Sequence, residues 1–246
     1  MRALTASLPS ALLGALLAGC AADAPPPPTT VQVGVHRVSF AVPEGFVHYD
    51  HGREQRFERT EGDVVITDLG PVTAEGFRRV LREARELSRA GRREDAVTLL
   101  RDLRLRKAFS NEGDRRDAVQ AVDRIAGGLS TTEIDAAYDS LEDLVDRLPP
   151  PGLPELAHES LGDLGHDERR DVEREDRLRL DGRDALRIST WQRMTHDFRR
   201  RHVFTVDRGS LLVIRTDMGR DEVLGPAFEE LIRSFAFDEE AGITAD

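Results

Sequence analysis

The spacing of hydrophobic residues changes twice along this chain and predicts three kinds of segment. Over residues 36–68 apolar and polar residues alternate, as they do along residues 37–42, which is typical of half-buried β-strands. Over residues 73–148 the apolar positions recur every three or four residues, which predicts amphipathic helices. Alternation resumes after residue 177, and an amphipathic helix is predicted near the end, over about residues 223–232.

Turn and capping signals fix where these elements begin and end. Glu61-Gly62-Asp63 and Asp207-Arg208-Gly209-Ser210 each separate two strand patterns, so both predict β-hairpins. Ser130-Thr131-Thr132-Glu133 matches a capping box and predicts the start of a helix. With the glycine breaks around it, the segment 73–148 is expected to hold four helices.

The distribution of aromatic residues predicts how the segments combine. Within residues 73–148 only Phe77, Phe109 and Tyr138 are aromatic, and the strand-rich segments and the final helix hold the others. Large aromatic side chains dominate core burial, and the first strands are too few to be stable alone. The expected fold is therefore α+β: an antiparallel sheet with a C-terminal helix packed on it, interrupted by an inserted all-helical segment.

The first twenty residues carry an export signal. Arg2 is followed by an apolar run over residues 11–17, which has the length of a signal-peptide core and is too short to span a bilayer. The next residues, Leu17-Ala18-Gly19-Cys20, resemble the lipobox of bacterial lipoproteins, in which the cysteine thiol takes a lipid. Lipidation of Cys20 and anchoring to a membrane of the cell envelope are thus predicted, the alternative being a plain secretory signal with a chance cysteine.

A proline-rich stretch follows the anchor. Pro25-Pro26-Pro27-Pro28 favours an extended conformation and predicts a semi-rigid tether. In Gram-negative lipoproteins an aspartate directly after the cysteine retains the protein at the inner membrane. Ala21 at that position resembles the pattern of outer-membrane lipoproteins, so the outer membrane is favoured if the organism has one.

The predicted organisation has seven parts. They are a signal peptide (1–19), the lipidated cysteine and tether (20–34), the first part of the sheet domain (35–72), a helical insertion (73–148), a loop and charged linker (149–176), the second part of the sheet domain with its C-terminal helix (177–238) and a disordered tail (239–246).

Several short motifs together are similar to the PsbP-like family, which includes bacterial lipoproteins of the DcrB type. They are Val42-Pro43-Glu44-Gly45-Phe46, the Asp181–Ala185 turn, the hairpin over residues 203–216 and the ending Phe228–Phe235. The resemblance covers roughly half of the chain and implies an α/β sandwich around a central antiparallel sheet. It also implies a protein that binds or assembles with other proteins and has no shared catalytic residues. The helical insertion departs from the family pattern.

Composition narrows the possible functions. The chain has 35 Lys and Arg against 46 Asp and Glu, a net charge of −11, so binding to nucleic acid or to anionic lipid is not expected. The longest basic run, Arg199-Arg200-Arg201, is expected to lie in a solvated turn. Cys20 is the only cysteine, which leaves the mature domain without a thiol nucleophile, thiolate ligand or disulfide.

Motifs for catalysis or cofactor binding are not found in the sequence, so no catalytic, cofactor or metal site is predicted. The best metal candidate is His48-Tyr49-Asp50-His51, for which a solvated polar loop is the simpler interpretation, and the same holds for His158 and His166. The acidic stretch 167–176 lacks the spacing of a calcium loop and is expected to be solvated.

Two functional classes remain. The favoured one is a non-catalytic binding or assembly module in the envelope with a neutral or basic protein partner. The alternative is an envelope hydrolase or metal-binding protein whose site forms only in three dimensions, for example around His48 and His51.

Overall fold

The computed structural model describes residues 28–103, 108–109, 111–128, 130–163, 170–192, 199–217 and 221–238. Within these ranges the chain forms ten strands and six helices. The strands are β1 (Thr29–Val33), β2 (His36–Phe40), β3 (Val47–Asp50), β4 (Glu54–Arg59), β5 (Gly62–Pro71), β6 (Arg170–Leu180), β7 (Arg183–Gln192), β8 (Arg199–Asp207), β9 (Ser210–Asp217) and β10 (Ala236–Phe237). The helices are α1 (Ala74–Arg89), α2 (Arg93–Asp102), α3 (Glu112–Gly127), α4 (Thr131–Asp146), α5 (Leu153–Asp163) and α6 (Asp221–Ser234).

Seven strands form one antiparallel sheet that joins the two strand-rich segments of the sequence. Their order is β3-β4-β5-β9-β8-β7-β6, so β5, the last strand before the helical segment, pairs with β9 near the end of the chain. The predicted split sheet is therefore confirmed. The helices between β5 and β6 are an insertion in an otherwise continuous sheet.

Both faces of this sheet are covered, by different elements. On β9, Leu212 and Ile214 point to the face covered by α6, while Leu211 and Val213 point to the face covered by α5. Successive strand residues point to opposite faces, so one strand serves two cores. The C-terminal helix packs on the sheet as predicted, through Phe228, Leu231 and Ile232.

A smaller sheet of three strands, β1-β2-β10, closes the α6 side. It corrects the predicted tether, because residues from Thr29 onward belong to β1 and pair with β2. Val31 and Val33 alternate with Thr30 and Gln32 and are buried against the core, which the neighbouring prolines obscured in the sequence.

The insertion has a core of its own. Its described part holds four helices, the number that the sequence predicts, and Ser130 and Glu133 form the predicted capping box. Every member of its hydrophobic cluster lies within residues 74–148, including the fully buried Tyr138 and Leu141. In the part of the chain described here, no helix is both long enough and apolar enough to cross a membrane.

Two predicted loops are regular elements. The predicted loop and linker at 149–176 contains α5 and the first half of β6. Ala157 and Leu161, one helical turn apart, hold α5 on the sheet, whereas β6 is highly charged because it is an exposed edge strand. The arginines at 199–201 lie in β8, not in a turn, and Arg201 pairs with Asp221 at 2.6 Å.

Candidate functional site

A cleft of about 440 Å³ lies where the insertion meets the sheet domain. This volume is within the range of natural ligand pockets, which is roughly 300–1,000 Å³. Its walls are largely apolar and come from the insertion, from α5 and from the ends of β5 and β9. The apolar lining consists of Leu69, Pro71, Val72, Phe77, Val80, Leu99, Leu103, Ala108, Leu148, Pro149, Pro151, Leu156 and Leu211.

One wall of the cleft is positioned by a contact between two glycines. The carbonyl oxygen of Gly209, in the β8–β9 turn, accepts hydrogen bonds from the backbone N–H groups of Val72 and Thr73 at 2.9 and 3.2 Å. Thr73 then caps the N-terminus of α1. A Cβ atom on Gly76 would lie 2.2 Å from the Gly209 carbonyl oxygen, so α1 can approach the turn this closely only with glycine at 76.

A buried ionic network lies beneath the cleft and reaches its lining through Asp68. His36 is fully buried, and its Nδ1 lies 2.9 Å from an oxygen of Asp207. Its Nε2 faces Asp68, at 3.8 Å. Asp68 lines the cleft and also accepts hydrogen bonds from the backbone N–H groups of Gly70 and Val35, at 2.8 and 3.3 Å. The imidazole therefore links a strand of the small sheet to two strands of the large one.

Neighbouring opposite charges shift the pKa values of the groups in this network. Burial by itself lowers the pKa of His36, but hydrogen bonding and attraction to Asp207 and Asp68 outweigh it, and the pKa is raised above its ordinary 6.5. Burial likewise raises the pKa values of Asp68 and Asp207, and the interaction with His36 reverses this and brings both below 3.8. These shifts favour an imidazolium between two carboxylates over the neutral forms of the three groups.

The network extends to the C-terminal strand. The Nε–H of Arg183 donates to the second oxygen of Asp207 at 2.7 Å. The same guanidinium lies 3.9 Å from the centre of the Phe237 ring, a cation–π contact. The pairing of β10 with β2 is therefore coupled to the charges beneath the cleft.

The rim of the cleft is acidic. Glu83 of α1, Asp102 of α2 and Glu155 and Glu159 of α5 line it with exposed carboxylates. Among the described residues none of these four has an ion-pair partner within 4.0 Å. They are therefore available to a cationic group in a ligand.

Both arginines in the cleft lining already have hydrogen-bonding or ion-pair partners within the chain. Arg79 donates to the carbonyl oxygen of Arg208 and to Oγ of Ser210, the latter at 2.8 Å. Arg53 lies 3.6 Å from Asp68. Arg79 keeps its positive charge because both of its partners are neutral, but the lining holds five carboxylates against two guanidinium groups and is therefore net negative.

The residues singled out in the sequence do not meet at this cleft. His48 and Asp50 lie on β3, where Nε2 of His48 contacts Oε1 of Gln55 at 2.6 Å and Asp50 accepts from Gln55 and from the Gly52 backbone at 2.7 Å. This predicted solvated loop is thus an edge strand, tied to its own hairpin. Nε2 of His158 lies 2.9 Å from a carboxylate oxygen of Glu175.

Other predicted features fall outside the described residues: Cys20, His166, residues 167–169 and the tail at 239–246. Within the ranges that are described, no group of three or more His, Cys, Asp and Glu side chains is arranged to hold a metal ion.

Sequence reasoning missed the buried triad of His36, Asp68 and Asp207. One signal was present: His36 alternates with Val38 and Phe40, so it occupies an inward position of β2. An ionisable residue at such a position requires a charged partner. The partners lie 32 and 171 residues away along the chain, and no local pattern identifies them.

Comparisons with known proteins give little more than a structural likeness. No family model matches the chain, and no curated protein matches it. The chain is similar to the solution structure of cyanobacterial PsbP (CyanoP) from Synechocystis sp. PCC 6803, with 9% identity, a TM-score of 0.42 and coverage of 90% of this chain and 99% of that one. At this low identity and TM-score, membership of the PsbP-like family stays a prediction.

Proposed function

We propose that this chain is an exported lipoprotein, anchored through Cys20, whose domain binds a cationic amphipathic segment of a partner protein without catalysis. The observation that carries the proposal is the cleft between the insertion and the sheet, with its apolar walls and its rim of four carboxylates. An amphipathic helix places apolar side chains in such a groove and leaves its charged face at the edge. The net charge of −11 favours encounter with a basic partner.

The ionic network beneath the cleft favours a binding role for this protein over a catalytic one. His36 would be the natural general base, but its two ring nitrogens face Asp207 and Asp68. The raised pKa of His36 favours the protonated imidazole, which has no free lone pair to accept a proton from a substrate. Under this proposal His36 holds Asp68 and the strands beneath the cleft in place.

Reversing charge at the rim is expected to weaken binding of a basic peptide about tenfold or more, or about 1.4 kcal/mol. The probe is a synthetic amphipathic helix of about 18 residues with leucine on one face and lysine on the other. The variant Glu155→Lys/Glu159→Lys is compared with Glu44→Lys/Glu94→Lys, which changes the net charge equally at exposed positions outside the cleft lining. Titration calorimetry on the full chain gives both affinities, and added salt should weaken binding by the unaltered chain.

Equal loss of affinity in the two double variants would show that the peptide is attracted non-specifically by the net charge, and it would contradict a specific site. Stoichiometric zinc in the purified protein that disappears in His48→Ala would instead favour the metal-binding alternative.

Replacing Cys20 with alanine is expected to abolish lipid attachment and release the protein from membrane pellets into the soluble fraction or leave it as an unprocessed precursor. The reason is that the thiol is the acceptor of the first lipid, and two or more acyl chains are needed for stable anchoring. Mass spectrometry of the mature N-terminus checks this, and an unmodified Cys20 in the native chain would contradict it.

A further inference from the structure

The exposed apolar side chains of this protein are concentrated at sheet edges. Among the described residues, the large hydrophobic side chains with high exposure are Val47 at 55%, Tyr49 at 44% and Val172 at 44%. Val47 and Tyr49 lie on β3 and Val172 lies on β6, the two outermost strands of the seven-stranded sheet. An edge strand presents unpaired backbone N–H and C=O groups, so each is a template for pairing with another chain.

The two edges differ in how well they are protected. On β6, Val172 is surrounded by charged residues, and the register with β7 shifts between Val172 and Arg174. Bulges and charges of this kind are the usual defences of an edge strand. On β3, residues 47–50 pair in continuous register with β4 and include no lysine, arginine or proline. Of the two edges of the seven-stranded sheet, β3 is therefore the one open to strand addition.

The sequence of β3 is complementary to itself. If two copies pair antiparallel about a two-fold axis at Tyr49, each His48 lies directly opposite Asp50 of the other copy, and the two Tyr49 residues face each other. A directly opposed aromatic pair stabilises a sheet by about 0.2–1 kcal/mol. Tyr49 lies on one face of the strand with Val47, which this register places opposite His51 of the other copy, and His48 and Asp50 lie on the other face.

The polar side chains are already held in position for this pairing. The ring of His48 stacks on Phe57 with centroids 4.7 Å apart, and its Nε2 contacts Gln55 at 2.6 Å. Asp50 is fixed by hydrogen bonds from the Gly52 backbone and the Gln55 amide, both at 2.7 Å. Side chains that are ordered in the monomer lose little further conformational entropy on association.

We propose that β3 is a self-association edge, through which two copies of this chain join their seven-stranded sheets into one continuous antiparallel sheet with Tyr49 at the two-fold axis. The occupant is a second copy because the register that brings the two Tyr49 side chains together also places each His48 imidazole opposite an Asp50 carboxylate. This inference is independent of the cleft and of its ligand.

Cysteine cross-linking of the full chain tests both the contact and its register. Cys20 is the only native cysteine, so Cys20→Ser provides a background in which one engineered thiol is unique. Tyr49→Cys is expected to form a disulfide-linked dimer rapidly on mild oxidation, because directly opposed Cβ atoms lie within disulfide reach. Val172→Cys, at the other edge with the same exposure, is the matched control and should stay monomeric.

A mixture of His48→Cys and Asp50→Cys chains should give mainly the mixed dimer, because each position lies opposite the other and only diagonally from itself. Equal cross-linking rates for Tyr49→Cys and Val172→Cys, or equal yields of mixed and like dimers, would overturn the proposal.

A second measurement uses no disulfide. Sedimentation of the Cys20→Ser chain in detergent should show a concentration-dependent doubling of mass that Tyr49→Lys abolishes and Val172→Lys leaves unchanged. A chain that stays monomeric throughout, with circular dichroism confirming its fold, would also overturn the proposal.

Discussion

The His36→Gln variant is expected to lose about 3 kcal/mol or more of its free energy of unfolding, because removing one partner of a buried ion pair strands the other charge. Here two charges are affected. Asp207 retains Arg183 at 2.7 Å, but among the described residues the one cation left within 4.0 Å of Asp68 is Arg53, whose side chain is 58% exposed and 3.6 Å away. Asp68 therefore becomes the poorly compensated group. Urea denaturation followed by circular dichroism measures the change.

A histidine in an exposed ion pair provides the matched control. His158 pairs with Glu175, and the two side chains are 48% and 37% exposed. Such pairs contribute about 0–1 kcal/mol, so His158→Gln should have little effect. Similar losses in the two variants would show that the His36 network does not stabilise the fold.

The same network predicts how stability depends on pH. The raised pKa of His36 means that its contribution is fully present below its unfolded pKa of 6.5 and is lost as the pH rises through the folded value. The lowered pKa values of Asp68 and Asp207 mean that their contribution is fully present above 3.8 and is lost as the pH falls through the folded values. The stability gap between the native chain and His36→Gln should thus be largest between about pH 4 and 6.5. A gap that does not vary with pH would show that the variant acts through packing alone.

Removing the insertion is expected to abolish peptide binding and leave a folded sheet domain. Hydrophobic contacts explain this result. Among the residues that the structure describes, the clusters on the two faces of the seven-stranded sheet contain none from 73–148, and the cluster of the insertion contains none from the sheet. The binding site is nevertheless lost, because α1 and α2 supply one wall of the cleft and Glu83 and Asp102 of its rim.

The deletion is feasible because the insertion leaves and rejoins the sheet domain at one place. Val72 and Pro149, which flank the deleted segment, both line the same cleft. A Gly-Ser linker of about eight residues, which spans roughly 15 Å, should therefore join them. The expected result is a cooperative thermal transition with a β-rich circular dichroism spectrum. A control with scrambled linker sequence should behave alike, and an unfolded product would show that the helices belong to the main core.

The local pattern of the sequence was enough to predict most elements. Periods of two and of three to four residues separated the strands from the insertion, and the Asp207–Ser210 turn and the Ser130–Glu133 capping box lie where they were predicted. Each of these signals depends on neighbours within a few residues. Aromatic placement added one long-range inference, the pairing of the early strands with the late ones, because burial of large side chains must be shared by the elements that form the core.

Local patterns failed where an element depends on distant partners. The strand β1 follows a proline run, and it is regular only because β2 pairs with it. The charged strand β6 has few buried side chains of its own and is held by its pairing with β7. In both cases tertiary pairing overrides weak local propensity.

The amino-acid sequence by itself determined the α+β class, the helical insertion and the sites of the hairpins, because these follow from the spacing of apolar residues and from turn chemistry. Only the tertiary structure decided which side chains lie under the cleft and which edge of the sheet is open. His36 meets Asp207 across 171 residues, and β3 is left as the open edge of the early strands because β9 pairs with β5 and covers their other edge. Contacts of this kind depend on how whole layers pack together, and the local sequence around a residue does not specify its distant partner.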